Sequence, residues 1–147
     1  RQAGPSRQRS DAVEPTFTAI DGYRLWTEAD MLCLRADGPA TSAIVDWVVA
    51  TCDRLLAQYP SYYILGDLLD AGRIPPELRR RLVDVGRHRP PKAIAFFHVS
   101  PVALGVNALL FSALNAFSKR KIPLKQCSSE AEARAWLASQ RSSLPPG

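Results

Sequence analysis

Two histidines, three cysteines and one methionine are all that 147 residues hold of the side chains that most often bind metals or switch near neutral pH. The cysteines, Cys33, Cys52 and Cys127, are odd in number and far apart, so they build no disulfide ladder, no C-x-x-C and no zinc spacing. Each lies among apolar neighbours and reads as a small buried hydrophobe, and a reducing, cytoplasmic setting is the default. The eight glycines never cluster after a strand, where a Walker or dinucleotide loop would close its backbone N–H groups on phosphate. No G-x-S-x-G elbow presents a serine nucleophile. His88 stands in the basic run Arg87-His88-Arg89 and reads as part of a solvated loop. His98 ends an apolar run and reads as structural before it reads as a base. These absences leave no assembled catalytic site: no catalytic residue and no cofactor is expected, and binding is the expected mode of action.

What is present is a globular balance, 46% hydrophobic and 22% charged, in a chain the size of one domain. The formal net charge of +5 comes without a nucleic-acid-binding motif, so no nucleic-acid partner is expected. Arg79-Arg80-Arg81 with Arg87, Arg89 and Lys92 reads as a solvated helix face. The first residue is Arg1 rather than Met, which suggests a trimmed or processed chain. Residues 1–15 are rich in Arg, Gln, Ser and Pro and lack the apolar stretch of a signal peptide. They are expected to be a disordered leader, with the domain over 16–141 and a tail over 142–147.

Beyond Pro15 the pattern is dense. Thr16–Ile20 and Tyr23–Trp26 flank the turn pair Asp21-Gly22, and Met31–Leu34 stops at Asp37-Gly38-Pro39, so the front reads as antiparallel strands. Apolar residues from Ile44 to Leu56 recur at three- and four-residue steps, predicting a helix over Thr41–Gln58 with Thr41 or Ser42 as its N-cap. Tyr62–Leu65 predicts a buried strand running into Gly66-Asp67. Pro75-Pro76 open a second helix, through Glu77 to about Val85, with Gly86 as terminator. Ala93–Val99 is a further strand, followed by a helix to about Ser118. Ile122–Cys127 is a last strand, and Ser128 caps a final helix in which Trp136 and Leu137 face the core. Strands alternating with helices predict an α/β fold: a mixed, mostly parallel sheet of about five strands with four helices packed against it.

Two features stand out. Asp67 and Asp70 lie after the third main strand, where parallel sheets dock ligands and partners. Two carboxylates fall short of the near-octahedral oxygen set of Mg²⁺, so no metal is assigned; they are read as bonding turn amides and pairing with Arg73. With His98 they would also be the material of an enzyme, a third possibility behind two binding readings. The second feature is Pro101–Ser118, which holds no charged residue. Asn107, Ser112 and Asn115 interrupt it, so it reads as a core helix with surplus apolar surface rather than a membrane span, and Leu110, Phe111 and Leu114 are a possible dimer face.

The order of these elements over residues 20–140 resembles the STAS domain in its stand-alone, SpoIIAA-like, anti-sigma-factor-antagonist forms. The resemblance rests on the strand ending in Asp67, the turn to a helix at Pro76, the strand Ala93–Val99, and the closing phrase Glu130-Ala131-Glu132-Ala133-Arg134-Ala135-Trp136-Leu137. It implies a bacterial regulatory domain that works by protein–protein contact, with a regulator or anti-sigma-type kinase as partner. Asp67, Leu69, Asp70 and Arg73 are the implied partner-binding residues. Relatives are often phosphorylated on one serine in the loop after the third strand. Asp67–Pro76 contains no Ser or Thr, so that switch has no acceptor here. The other binding reading is a small-ligand or lipid module with an apolar pocket under the 101–118 helix.

Overall fold

The computed structural model describes residues 16–101, 105, 108, 112 and 122–142. Six strands form one sheet in chain order: β1 (Thr18–Ile20), β2 (Tyr23–Glu28), β3 (Met31–Gly38), β4 (Tyr63–Ala71), β5 (Ala93–Phe97) and β6 (Leu124–Cys127). The pairs β1/β2 and β2/β3 are antiparallel, and β3/β4, β4/β5 and β5/β6 are parallel. Helices α1 (Ser42–Gln58), α2 (Pro76–His88) and α3 (Glu130–Ser142) complete the α/β fold. Pro101, Gly105, Ala108 and Ser112 are also helical and exposed, where a fourth helix was expected. Leu110, Phe111 and Leu114 lie outside the described residues. No helix among the described residues is long and apolar enough to cross a membrane.

Strand alternation sorts the apolar residues into two cores. Leu32 with half-buried Leu34 and Ile64 meets Val48, Cys52 and Leu55 of α1 and Val85 of α2. Cys33, Tyr63, Leu65, Ala93, Ala95 and Phe97 face the other way, onto Ala133 and Leu137 of α3. All three cysteines are buried and unpaired.

The element ends follow local chemistry. Thr41 Oγ1 accepts the Ile44 amide at 3.4 Å and caps α1. Tyr59, held extended at φ −133° because Pro60 follows it, ends that helix. Several boundaries differ from expectation. α2 does not stop at Gly86, which is buried inside it; the helix continues to His88. Its end is held where the Tyr62 hydroxyl donates to Arg89 O and Arg89 pairs with Asp53. His88 is therefore the last residue of a helix and not part of a loop, with its Nδ1 3.0 Å from Asp84 O. The cap of α3 is Ser129, whose Oγ accepts the Glu132 amide at 3.1 Å. Ser128 instead donates to the Glu132 carboxylate. β5 ends at Phe97, because His98 turns into the left-handed region at φ +57°.

The largest departure is β4. The segment Asp67–Ala71, expected as a turn, is strand, because β3 runs on to Gly38 and supplies partners for it: Asp37 pairs with Asp70 and Gly38 with Ala71. Gly72 closes the ladder by donating to Gly38 O at 2.8 Å. A Cβ on Gly72 would stand 2.7 Å from the Gly38 carbonyl carbon, so this close approach requires glycine.

Candidate functional site

The carboxyl end of β4 carries the expected partner-binding residues, and the structure separates them into two groups. Asp67 points into a cleft on the α3 face of the sheet, with only 17% of its side chain exposed. Its Oδ1 accepts the Leu69 amide at 3.1 Å and lies 3.2 Å from His98 Nδ1. Its Oδ2 is 3.9 Å from Arg35 Nε. The partners around Asp67 are thus the Arg35 guanidinium and the His98 ring, not the Arg73 expected from sequence. Parallel pairing sets Asp67 beside Arg35 on β3 and beside Phe97 on β5, whereas Arg73 lies past the end of β4. Leu69, Asp70 and Arg73 are exposed on the outer end of the strand and its exit.

Two local distortions shape this corner. Between Arg35 and Asp37 the β3/β4 register shifts, an irregularity of the kind that re-aims side chains at strand ends. His98 takes its left-handed turn directly after Phe97, and the two rings meet edge to face at 4.8 Å. The histidine of the sequence reading is therefore not sealed in a core. It sits on the rim with 41% of its side chain exposed, bonded to Asp67.

The cleft itself, about 280 Å³, has Phe17, Arg24, Trp26, Leu34, Arg35, Leu65, Asp67, Phe97 and Glu130 in its lining. Sequence reasoning had singled out only Asp67 of these. Arg24 and Arg35 are brought together by the β2/β3 register, in which they are direct partners. That register descends from the two-residue turn Ala29-Asp30, which places Glu28 opposite Met31. Counting back from this turn would have found the pair, but no Gly or Asn marks the turn. Ala29 takes φ +52° without the residue type that favours it.

Behind the cleft, Glu28 ties the layers together. Arg134 of α3 donates to both its carboxylate oxygens, at 2.7 and 2.9 Å, and the Trp26 indole N–H donates at 2.9 Å. The Arg134 hydrogen bonds hold the Glu28 pKa down at about 2. Burial pushes the Cys33 thiol far up and the Cys52 thiol up to about 11, which keeps both as unreactive thiols. Among the described residues, no group of three or more His, Cys, Asp and Glu side chains is arranged to hold a metal ion.

On the opposite face, an apolar cavity of about 150 Å³ lies between the sheet, α1 and α2. Leu34, Val48, Ile64, Leu82, Val85 and Phe96 are among its lining residues.

A six-stranded mixed sheet, parallel beyond β3, with α3 on the face opposite α1 and α2 among the described helices, defines a SpoIIAA-like fold. Two solved structures carry the comparison. The anti-sigma factor antagonist SpoIIAA in its unphosphorylated form superposes with a TM-score of 0.52 at 13% identity, over 79% of this chain and 97% of that one. An uncharacterised protein of the DUF3478 family from Shewanella loihica PV-4, with a SpoIIAA-like fold, gives 0.56 at 15% identity, over 89% and 99%. No family model and no curated protein matches the sequence.

Proposed function

We propose that this chain is a non-enzymatic STAS-like interaction domain that docks a protein partner on the carboxyl end of β4. The observation that carries the reading is Leu69. It is 55% exposed, one of two large hydrophobics so exposed among the described residues, and it sits between Asp67 and Asp70 with Arg73 nearby. An exposed apolar side chain in a segment that also carries exposed Asp70 and Arg73 has the composition of a small docking point, where the apolar group anchors and the charges select. The SpoIIAA likeness supports the class of function, since that protein is an anti-sigma factor antagonist. Docking here is independent of phosphorylation within Asp67–Pro76, which has no hydroxyl acceptor. Three buried, unpaired thiols suit a reducing, cytoplasmic setting. Pairing of two copies through Leu110, Phe111 and Leu114 belongs to the same reading. It is supported by the uncharged stretch Pro101–Ser118, and sedimentation equilibrium returning only monomer at high micromolar concentration removes it.

The docking test places a photo-crosslinking residue at position 69 and, as control, at exposed Asp84 on α2. Illumination in the cells of origin should give one dominant protein adduct from position 69 and none from 84. A Leu69→Asp variant should lose co-purification of that protein while keeping its melting temperature. Equal labelling from both positions, or none, refutes the docking point.

A second reading, a small apolar ligand, is favoured by the cavity between α1, α2 and the sheet. An apolar cavity of about 150 Å³ holds a benzene-sized molecule. Saturable stabilisation of the protein by benzene, abolished by Val48→Phe, would support it; no stabilisation removes it.

A further inference from the structure

Arg24 and Arg35 face each other across β2 and β3 as direct cross-strand partners, and both line the cleft on the α3 face. Like charges directly opposite in an antiparallel pair destabilise it. Neither guanidinium is fully compensated among the described residues. Arg24 lies over the Phe17 ring at 5.1 Å. Arg35 reaches Asp67 only at 3.9 Å, too long for a hydrogen bond. The other oxygen of Asp67 is committed to the Leu69 amide and to His98. Glu130, the other carboxylate on the cleft, is taken up by Arg134 at 2.8 Å. Two arginines thus stand as cross-strand partners on the wall of one cleft, with no carboxylate at hydrogen-bond distance from either among the described residues.

The rest of that space is not polar. Trp26 is half-buried beside the arginines, and Leu65 and Phe97 are buried beneath. An anion with no apolar part would leave this surface unmatched. An apolar molecule with no charge would leave the arginines unmatched. At about 280 Å³ the cleft lies just below the roughly 300–1,000 Å³ of drug-sized ligand sites, which limits an occupant to one or two rings.

We propose that the cleft binds a small organic anion, its carboxylate gripped by Arg24 and Arg35 and its flat apolar body resting on Trp26 and Phe97. The planar guanidinium forks match a carboxylate through paired N–H···O bonds. Asp67, drawn toward Arg35 from the side, narrows acceptance to ligands of low charge, because a dense multivalent anion would crowd its carboxylate. The cleft adjoins the docking point, since Asp67 lines the one and holds the Leu69 amide of the other. Arg24 and Arg35 belong to the cleft alone, so their variants test it without touching Leu69.

The test titrates the full chain with sodium 2-naphthoate and follows the Trp26 indole N–H in ¹H–¹⁵N spectra. 2-Naphthalenemethanol and inorganic phosphate serve as comparison ligands. Naphthoate should move the Trp26 signal along a saturable curve, and the alcohol and phosphate should each bind at least about tenfold more weakly, the effect of losing one charge-assisted contact. Arg24→Gln and Arg35→Gln should each weaken naphthoate by a similar factor while the thermal melt stays cooperative. Should a Gln variant unfold, Arg→Lys at that position keeps the charge and removes the fork, and should still weaken binding several-fold. No saturable shift, equal binding of the alcohol, equal binding of phosphate, or affinity unchanged in the variants would each overturn the proposal.

Discussion

Glu28 shows at the scale of one residue how the layers are held in register. Its carboxylate is half enclosed and accepts three hydrogen bonds, two from Arg134 and one from Trp26. Those bonds, led by Arg134, depress its folded pKa from 4.5 to about 2. A carboxylate depressed on folding contributes stability that is fully present above its unfolded value and is lost as pH falls through the folded one. Glu28→Gln should therefore cost about 1 kcal/mol at pH 7, a modest figure because both partners keep contact with solvent. The difference from wild type should shrink between pH 4.5 and 2. Urea titrations at pH 7, 4 and 2.5 measure it, and a gap that stays constant with pH would show the ion pair contributes nothing.

At the scale of the element, α3 separates two neighbours that the sequence pattern joined. Leu137 is 1% exposed and sits with Ala133 in the core beneath the helix. Trp136 only packs against the edge of that cluster. Leu137→Ala should lose roughly 2–5 kcal/mol, the range for a fully buried leucine. Trp136→Ala should lose less, since part of its ring surface is never taken from water. Denaturant melts that reverse this order would mean α3 is rotated on the sheet. The turns make the same point about legibility. Asp21-Gly22 takes positive φ at both residues, and the Asp-Gly pair announces such a turn in the sequence. Ala29-Asp30 also makes a two-residue turn, with nothing in its residue types to announce it, so the register that aligns Arg24 with Arg35 stayed hidden.

For the whole molecule, the two cores share the same strands, so neither layer can be lost without stripping one face of the sheet. Trp47 packs against the α1 side and Trp136 against the α3 side. Single-tryptophan variants that keep one or the other should therefore melt with coincident midpoints, as one cooperative unit does. Midpoints several degrees apart would show that the α3 layer unfolds by itself.

Local chemistry was enough to determine most elements: the apolar stripe and threonine cap of α1, the Pro60 stop, the Pro76 start and the alternating strands are all short-range effects that residue types carry with them. It also determined the missing phospho-acceptor, a plain absence of hydroxyls over Asp67–Pro76. The tertiary structure alone decided what pairing decides. Asp67–Ala71 became strand because β3 offered it a partner, against the turn its aspartates suggested. α2 ran past Gly86 because Tyr62 and Arg89 hold its end. The cleft with Arg24, Trp26 and Arg35 exists because a register set at an unmarked turn carries residues eleven apart onto one face of the sheet. No property of the single residues encodes that distance.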